Sequence, residues 1–342
     1  MKQSLLLFLS LSAAVLFSGC EKAFMHQTEP TATRTFDYLW HIVDQQYSMF
    51  DVKNVDWNTV YDNLRPQVRD GMSSDSLFTL CASMLGTLRD GHVNLYGPHD
   101  VSHDDTVYYR FFSESGIDIN LLVTTYLGTS FRTSGGIVHT SLCNGKVIYV
   151  RYSSFSNSVD PNDFRYVITC YPDAVGMIFD IRGNGGGALL NVHRLLSVMP
   201  SHGQVLYYSQ IKSGPGHNDF TPLQPTYAPE SGTNVYTKPV LVLTDRGCFS
   251  AASAFAISTQ AYDNIRLMGD TTGGGLGLPA SGVLPNGWVY RFSVTRTIAL
   301  DGKNYENGVP PDILLKFDRQ AAYTLHRDNI IDSACALLLS NH

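Results

Sequence analysis

Phe179-Asp180-Ile181-Arg182-Gly183-Asn184-Gly185-Gly186-Gly187, preceded by Val175 and followed by Leu189, Leu190, Leu195 and Leu196, reads as an apolar strand, a glycine turn and a helix. In open α/β sheets, ligands gather at the carboxyl ends of strands, where helix N-termini point unpaired N–H groups outward. Gly185, Gly186 and Gly187 let the backbone approach a bound group closely and adopt positive φ. The run lacks Gly-x-Gly-x-x-Gly spacing and a following Lys-Ser/Thr, so a nucleotide site is not indicated. A second unit of the same kind follows. The strand Val240-Leu241-Val242-Leu243-Thr244-Asp245-Arg246 ends at Gly247-Cys248-Phe249-Ser250-Ala251-Ala252, which places Ser250 on a strand-to-helix turn. A helix cap is the plain reading of Ser250. As a nucleophile it would need a base, and the base an orienting partner. The two turns together look like an oxyanion hole and a nucleophile.

The 342 residues, 44% of them hydrophobic, suffice for one large domain and a smaller one. Charged residues make up only 16% and the net charge is −6, which argues against nucleic acid as a partner.

Lys2, the apolar run Leu5–Phe17 and Ser18-Gly19-Cys20 are expected to form a lipoprotein signal peptide over residues 1–20, with Cys20 lipidated. The run is too short for a permanent span, and residues 21–33 would be a tether. The expected location is the cell envelope of a Gram-negative-type bacterium, on the outer membrane, with the lipid as the only membrane contact. Cys81, Cys143, Cys170, Cys248 and Cys335 are scattered without a Cys-x-x-Cys pair, and buried thiols are expected rather than disulfides or a metal site.

Phe36, Leu39, Trp40 and Val43 have helical spacing, as do Leu77, Leu80, Cys81, Met84, Leu85 and Leu88; residues 34–96 read as a small helical module. Residues 97–145 read as a linker or lid in which Ile117–Tyr126 alternates like a strand. Residues 146–342 read as α/β, with strands at 147–151, 175–180, 239–245, 265–268 and 288–296 and helices at about 160–170, 188–199, 250–262 and 318–340. His99, His103 and Asp104 have metal-like spacing, but their polar, non-helical setting favours a solvated loop, and no metal is expected.

Five blocks in order resemble the C-terminal processing (tail-specific) serine peptidases, including the tricorn-core and retinoid-binding-protein branches. They are Leu88-Arg89-Asp90-Gly91-His92, Asp180–Gly187, Leu243–Ala252, Gly269-Asp270-Thr271-Thr272-Gly273-Gly274-Gly275, and the segment from Asp301 through Glu306-Asn307-Gly308-Val309-Pro310-Pro311-Asp312. The resemblance implies a crotonase- or ClpP-like spiral α/β core behind the N-terminal helical module. One branch of the family uses a serine–lysine dyad, but Thr271–Gly277 holds no lysine, and Lys303 lies in a polar turn. The tricorn-like branch uses histidine and glutamate. The resemblance therefore implies a triad of Ser250, His92 and Glu306 that cleaves peptide bonds through an acyl-enzyme. Gly91 stands where that branch commonly has a serine.

Backbone N–H groups of Gly186 or Gly187 and of Ala251 are the expected oxyanion donors. Too little chain lies between Asn94 and Val147 for the family's PDZ domain, so any recognition of a peptide carboxylate would fall to Arg182 or Arg246. Peptide or protein is the expected substrate, no cofactor is implied, and nothing in the sequence indicates an oligomeric state. Two other readings use the same scaffold: a ligand-binding protein like the retinoid-binding relatives, and an esterase, although the Gly-x-Ser-x-Gly elbow is missing.

Overall fold

The computed structural model describes residues 30–104 and 116–340; the signal segment, Cys20, most of the tether and residues 105–115 of the linker or lid lie outside the described residues. The chain forms strands β1 (Asn94–Tyr96), β2 (Arg132–Ser134), β3 (Ile137–Leu142), β4 (Val147–Arg151), β5 (Gly176–Asp180), β6 (Val205–Ile211) and β7 (Gln224–Tyr227). These are followed by β8 (Val240–Thr244), β9 (Ile265–Gly269), β10 (Pro279–Val283), β11 (Val289–Ser293), β12 (Thr295–Ile298) and β13 (Ile313–Leu314). The main sheet is seven-stranded, in the order β13-β9-β8-β5-β4-β3-β2. It is parallel from β13 to β4, and β2 and β3 extend it as an antiparallel hairpin.

Every residue of β4, β5 and β8 is buried, as expected of strands covered on both faces. Their side chains alternate between two cores. Ile148, Val150, Met177, Phe179 and Val242 point toward the helices Pro161–Thr169, Leu189–Leu196 and Ala251–Thr259. Val147, Tyr149, Ile178, Leu241 and Leu243 point to the opposite face and pack on Ile330, Ile331, Ala334 and Leu338 of the helix Asn329–Ser340. The register pairs Asp180 with Leu243, so β5 and β8 end side by side and release their two turns at the same edge.

The helices Ala32–Gln46, Trp57–Leu64 and Ser74–Gly86 build a separate core, and they do not close it alone. Leu284, Trp288, Tyr290 and Phe292 fill it, carried by or next to the small sheet β1-β11-β10. The N-terminal module is thus completed by chain that comes about two hundred residues later, far beyond ordinary connection lengths.

Three expectations need correction. Ile117–Tyr126 is not a strand. Asp118 accepts the Leu121 N–H at 3.0 Å and starts a helix, Ile119–Leu121, that continues with π geometry through Leu122–Leu127. The stretch 288–296 divides into β11 and β12, which join different sheets. The C-terminal helix breaks at His326, whose backbone is left-handed with φ of 51°, and restarts at Asn329. The five cysteines among the described residues are free thiols; Cys81 and Cys248 are buried as expected, whereas Cys143, Cys170 and Cys335 are only partly buried, with Cys143 beside Cys335.

Candidate active site

Ser250 caps nothing: no hydrogen bond runs from its side chain to the helix Ala251–Thr259. Its backbone has φ 54° and ψ −118°, a strained region for a side chain with Cβ. Such strain persists only where surrounding contacts impose it, at a cost of about 1–3 kcal/mol. Here the Phe249 N–H donates to the Asn184 carbonyl at 3.0 Å and the Ser250 N–H to the Gly274 carbonyl at 2.9 Å. The Ser250 turn is therefore pinned between the two glycine loops, and its hydroxyl is thrown clear of the helix.

That hydroxyl meets His92. The Ser250 Oγ to His92 Nε2 distance is 3.1 Å, across 158 residues of chain. His92 is buried and stacks at a tilt on Phe249, with ring centroids 4.8 Å apart. Burial lowers its pKa below the ordinary 6.5; the Asp90 charge works in the opposite direction, while Arg291 and Lys53 reinforce the lowering. At neutral pH the ring is a neutral base. Its Nδ1 is buried and no carboxylate bonds it; the Gly277 backbone also acts to raise the ring's pKa.

Glu306 is brought to this region but not to the imidazole. Its Oε2 accepts the backbone N–H groups of Leu276 (2.8 Å) and Gly277 (2.9 Å). Burial first, and then the charge of Asp90, push its carboxyl up to about 8, against the opposing pull of Lys53 and the two N–H groups. Its main chain threads between the glycine loops. The Gly275 N–H donates to the Glu306 carbonyl at 3.0 Å, and a Cβ on Gly274 would lie 1.8 Å from that oxygen.

The expected oxyanion donors divide unequally. The Gly186 N–H is already given to Asn184 Oδ1 at 2.9 Å, which corrects its expected role as a donor. Gly186 instead supplies room, since a Cβ there would stand 2.6 Å from the Phe249 carbonyl and 3.0 Å from the Ala251 nitrogen. The N–H groups of Gly187 and of Ala251, the first residue of its helix, have no acceptor among the described residues. These two are free to receive an anion.

The two arginines differ in what they can reach. Arg182 is wholly buried, with its guanidinium on Asp180 (2.6 Å) and Asp328 (2.9 Å), so it is not a contact for a substrate carboxylate. Arg246, half-buried, donates to the carbonyls of Thr272 (3.1 Å) and Asn307 (3.3 Å) and ties the Glu306 loop to the Ser250 loop. Three residues passed over in the sequence also shape the site. Asn184 holds the glycine turn from inside, also donating to the Tyr152 carbonyl at 2.9 Å. Asp245 accepts the N–H groups of Gly183 (2.8 Å) and Gly247 (2.9 Å), locking the two turns together. Asp90 accepts the His92 N–H at 2.8 Å. Their signal was only an Asn or Asp inside each loop block, the type that bonds backbone two residues on. Among the described residues no cluster of three or more His, Cys, Asp or Glu could hold a metal ion.

Comparison with known proteins agrees with this layout. The model of peptidase family S41 matches residues 146–315, and that of the tricorn protease C1 domain matches residues 31–86. A crystal structure from Parabacteroides merdae ATCC 43184, described as a candidate peptidase, superposes with a TM-score of 0.85 at 35% identity, over 90% of this chain and 97% of that one. The carboxy-terminal processing protease CtpA of Bacillus subtilis (strain 168) is 26% identical over 141 residues, 41% of this chain. The match spans only 28% of CtpA. Mature CPAF shares the fold, with a TM-score of 0.66 at 13% identity, over 91% of this chain and 99% of that one.

Proposed function

Because the chain belongs to peptidase family S41, a family of serine peptidases, we propose that it hydrolyses peptide bonds with Ser250 as nucleophile and His92 as general base. The observation that carries this reading is the 3.1 Å approach of His92 Nε2 to a Ser250 hydroxyl held on a strained turn. Ser250 Oγ attacks the scissile carbonyl carbon while its proton passes to Nε2. The carbonyl oxygen takes the negative charge and accepts hydrogen bonds from the Gly187 and Ala251 N–H groups. Collapse expels the amine, which leaves with the proton from Nε2, and an acyl-Ser250 ester remains. Water, deprotonated by His92, then attacks the ester and frees Ser250. Glu306 supports the histidine indirectly, by fixing the Leu276 and Gly277 backbone.

The substrate is peptide or protein, and the Ser18-Gly19-Cys20 segment supports a lipid-anchored enzyme of the cell envelope. Incubation with an unfolded protein substrate and mass spectrometry of the new termini test the activity. The wild-type chain should generate new termini, and Ser250→Ala and His92→Ala should each reduce them at least about a thousandfold. Equal cleavage by folded Ser250→Ala protein would overturn the reading. Metabolic labelling with a fatty acid should mark the full chain and not Cys20→Ala.

A further inference from the structure

The catalytic histidine sits two residues after a carboxylate that the peptidase reading leaves without a task. Asp90 is 1% exposed, and both of its oxygens are used. Oδ1 accepts the backbone N–H of His92 at 2.8 Å. Oδ2 accepts the Tyr47 hydroxyl at 2.9 Å, with Ser293 Oγ at 3.5 Å. These groups come from three distant places: Tyr47 ends the first helix of the N-terminal module, Asp90 and His92 lie in the turn before β1, and Ser293 ends β11. Ser48, next to Tyr47, fastens the same junction by donating to the carbonyls of Ser293 (3.0 Å) and Thr295 (2.9 Å).

We propose that Asp90, anchored by Tyr47, is the positioning carboxylate of His92, fixing its backbone and supplying the anion that balances the imidazolium formed during catalysis. This rests on the reading of His92 as the base. The charged groups acting on the ring are Asp90, Arg291 and Lys53, and Tyr47 and Glu306 in turn face Asp90. Two buried carboxylates sharing one site do not both ionise readily. Burial and the Asp90 charge hold the Glu306 carboxyl up at about 8 against its two backbone donors, while both Asp90 oxygens are met by donors, the His92 N–H and the Tyr47 hydroxyl, that suit a carboxylate. Tyr47 is suited to the anchoring role, because burial and the Asp90 charge keep its hydroxyl protonated and donating. The cations pull the other way: both Arg291 and Lys53 favour the neutral ring.

The test uses Asp90→Asn, which keeps the size of the side chain and an oxygen for the His92 N–H but removes the charge. Two quantities are read: the His92 titration midpoint by NMR, and the pH profile of Ser250 labelling by a fluorophosphonate. Asp90→Asn should lower the midpoint by about one unit and move the acid limb of the profile down with it. It should also cut the plateau rate about ten- to a hundredfold. Tyr47→Phe keeps the charge, so it should slow labelling several-fold while moving the midpoint far less, by about 0.3 unit. An Asp90→Asn protein with an unchanged midpoint and profile would overturn the proposal, whatever its stability. If Asp90→Asn does not fold, a Tyr47→Phe protein that labels at the wild-type rate would overturn it instead. The NMR midpoint needs only folded protein. A shifted midpoint in a chain whose Ser250 never labels would sustain the role of Asp90 and sink the peptidase reading separately.

Discussion

The proposed chemistry rests on one contact, between Ser250 Oγ and His92 Nε2, and its pH dependence follows from the histidine's burial. The base works when neutral, so activity is present above its folded pKa and is lost as pH falls through it. Because that pKa lies below 6.5, the labelling rate at pH 6.5 should exceed half its plateau, and a midpoint above 7 would refute the electrostatics. Glu306 gives the opposite kind of signature. Below about 4.5, folded and unfolded chains both hold its proton; as pH rises toward about 8, the unfolded chain ionises while the fold keeps the carboxyl neutral. Glu306→Gln should therefore melt higher than wild type at pH 8, with the gap closing near pH 4.5, in thermal scans across that range. Its kcat should stay within about tenfold of wild type, since no hydrogen bond joins Glu306 to the ring. A kcat that collapses in a stably folded Glu306→Gln protein would restore the anionic glutamate of the implied triad.

At the scale of elements, the glycine turn and the nucleophile turn operate as one piece. Gly186 has φ of +99° and faces the Phe249 carbonyl, so Gly186→Ala must distort both turns at once. It should lower kcat at least about a hundredfold, comparable to loss of an oxyanion donor, while KM changes little. This is also where the sequence was most and least informative. Apolar runs bounded by Gly and Asp identified β5, β8 and their helices, because buried parallel strands leave a continuous hydrophobic signature. The same motif blocks named Ser250 and His92, yet they could not show that the Gly186 N–H is occupied by Asn184, which depends on a side-chain rotamer. Arg182 and Arg246 looked available because arginines are usually exposed. Only the fold reveals the two aspartates that bury the first, and one of them, Asp328, comes from the C-terminal region. Ile117–Tyr126 misled because short apolar segments carry both periodicities, and the Asp118 cap decided for helix.

At the scale of the whole molecule, the proposed base and nucleophile belong to different cores. His92 leaves the helical core that Trp288 and Phe292 complete, while Ser250 leaves the core under the main sheet. Leu284→Ala, which empties a position 2% exposed in the helical core, should cost about 2–5 kcal/mol in urea unfolding. Loss of structure and loss of labelling should share one midpoint, since the module cannot loosen without carrying His92 away. The claim that these two lobes assemble one activated serine is tested most directly by a fluorophosphonate probe on the folded chain lacking residues 1–20, with the adduct mapped by mass spectrometry. The adduct should lie on Ser250 and disappear in both Ser250→Ala and His92→Ala. An adduct on another residue, or one on Ser250 that persists undiminished in folded His92→Ala, would show that His92 does not activate this serine and would overturn the mechanism.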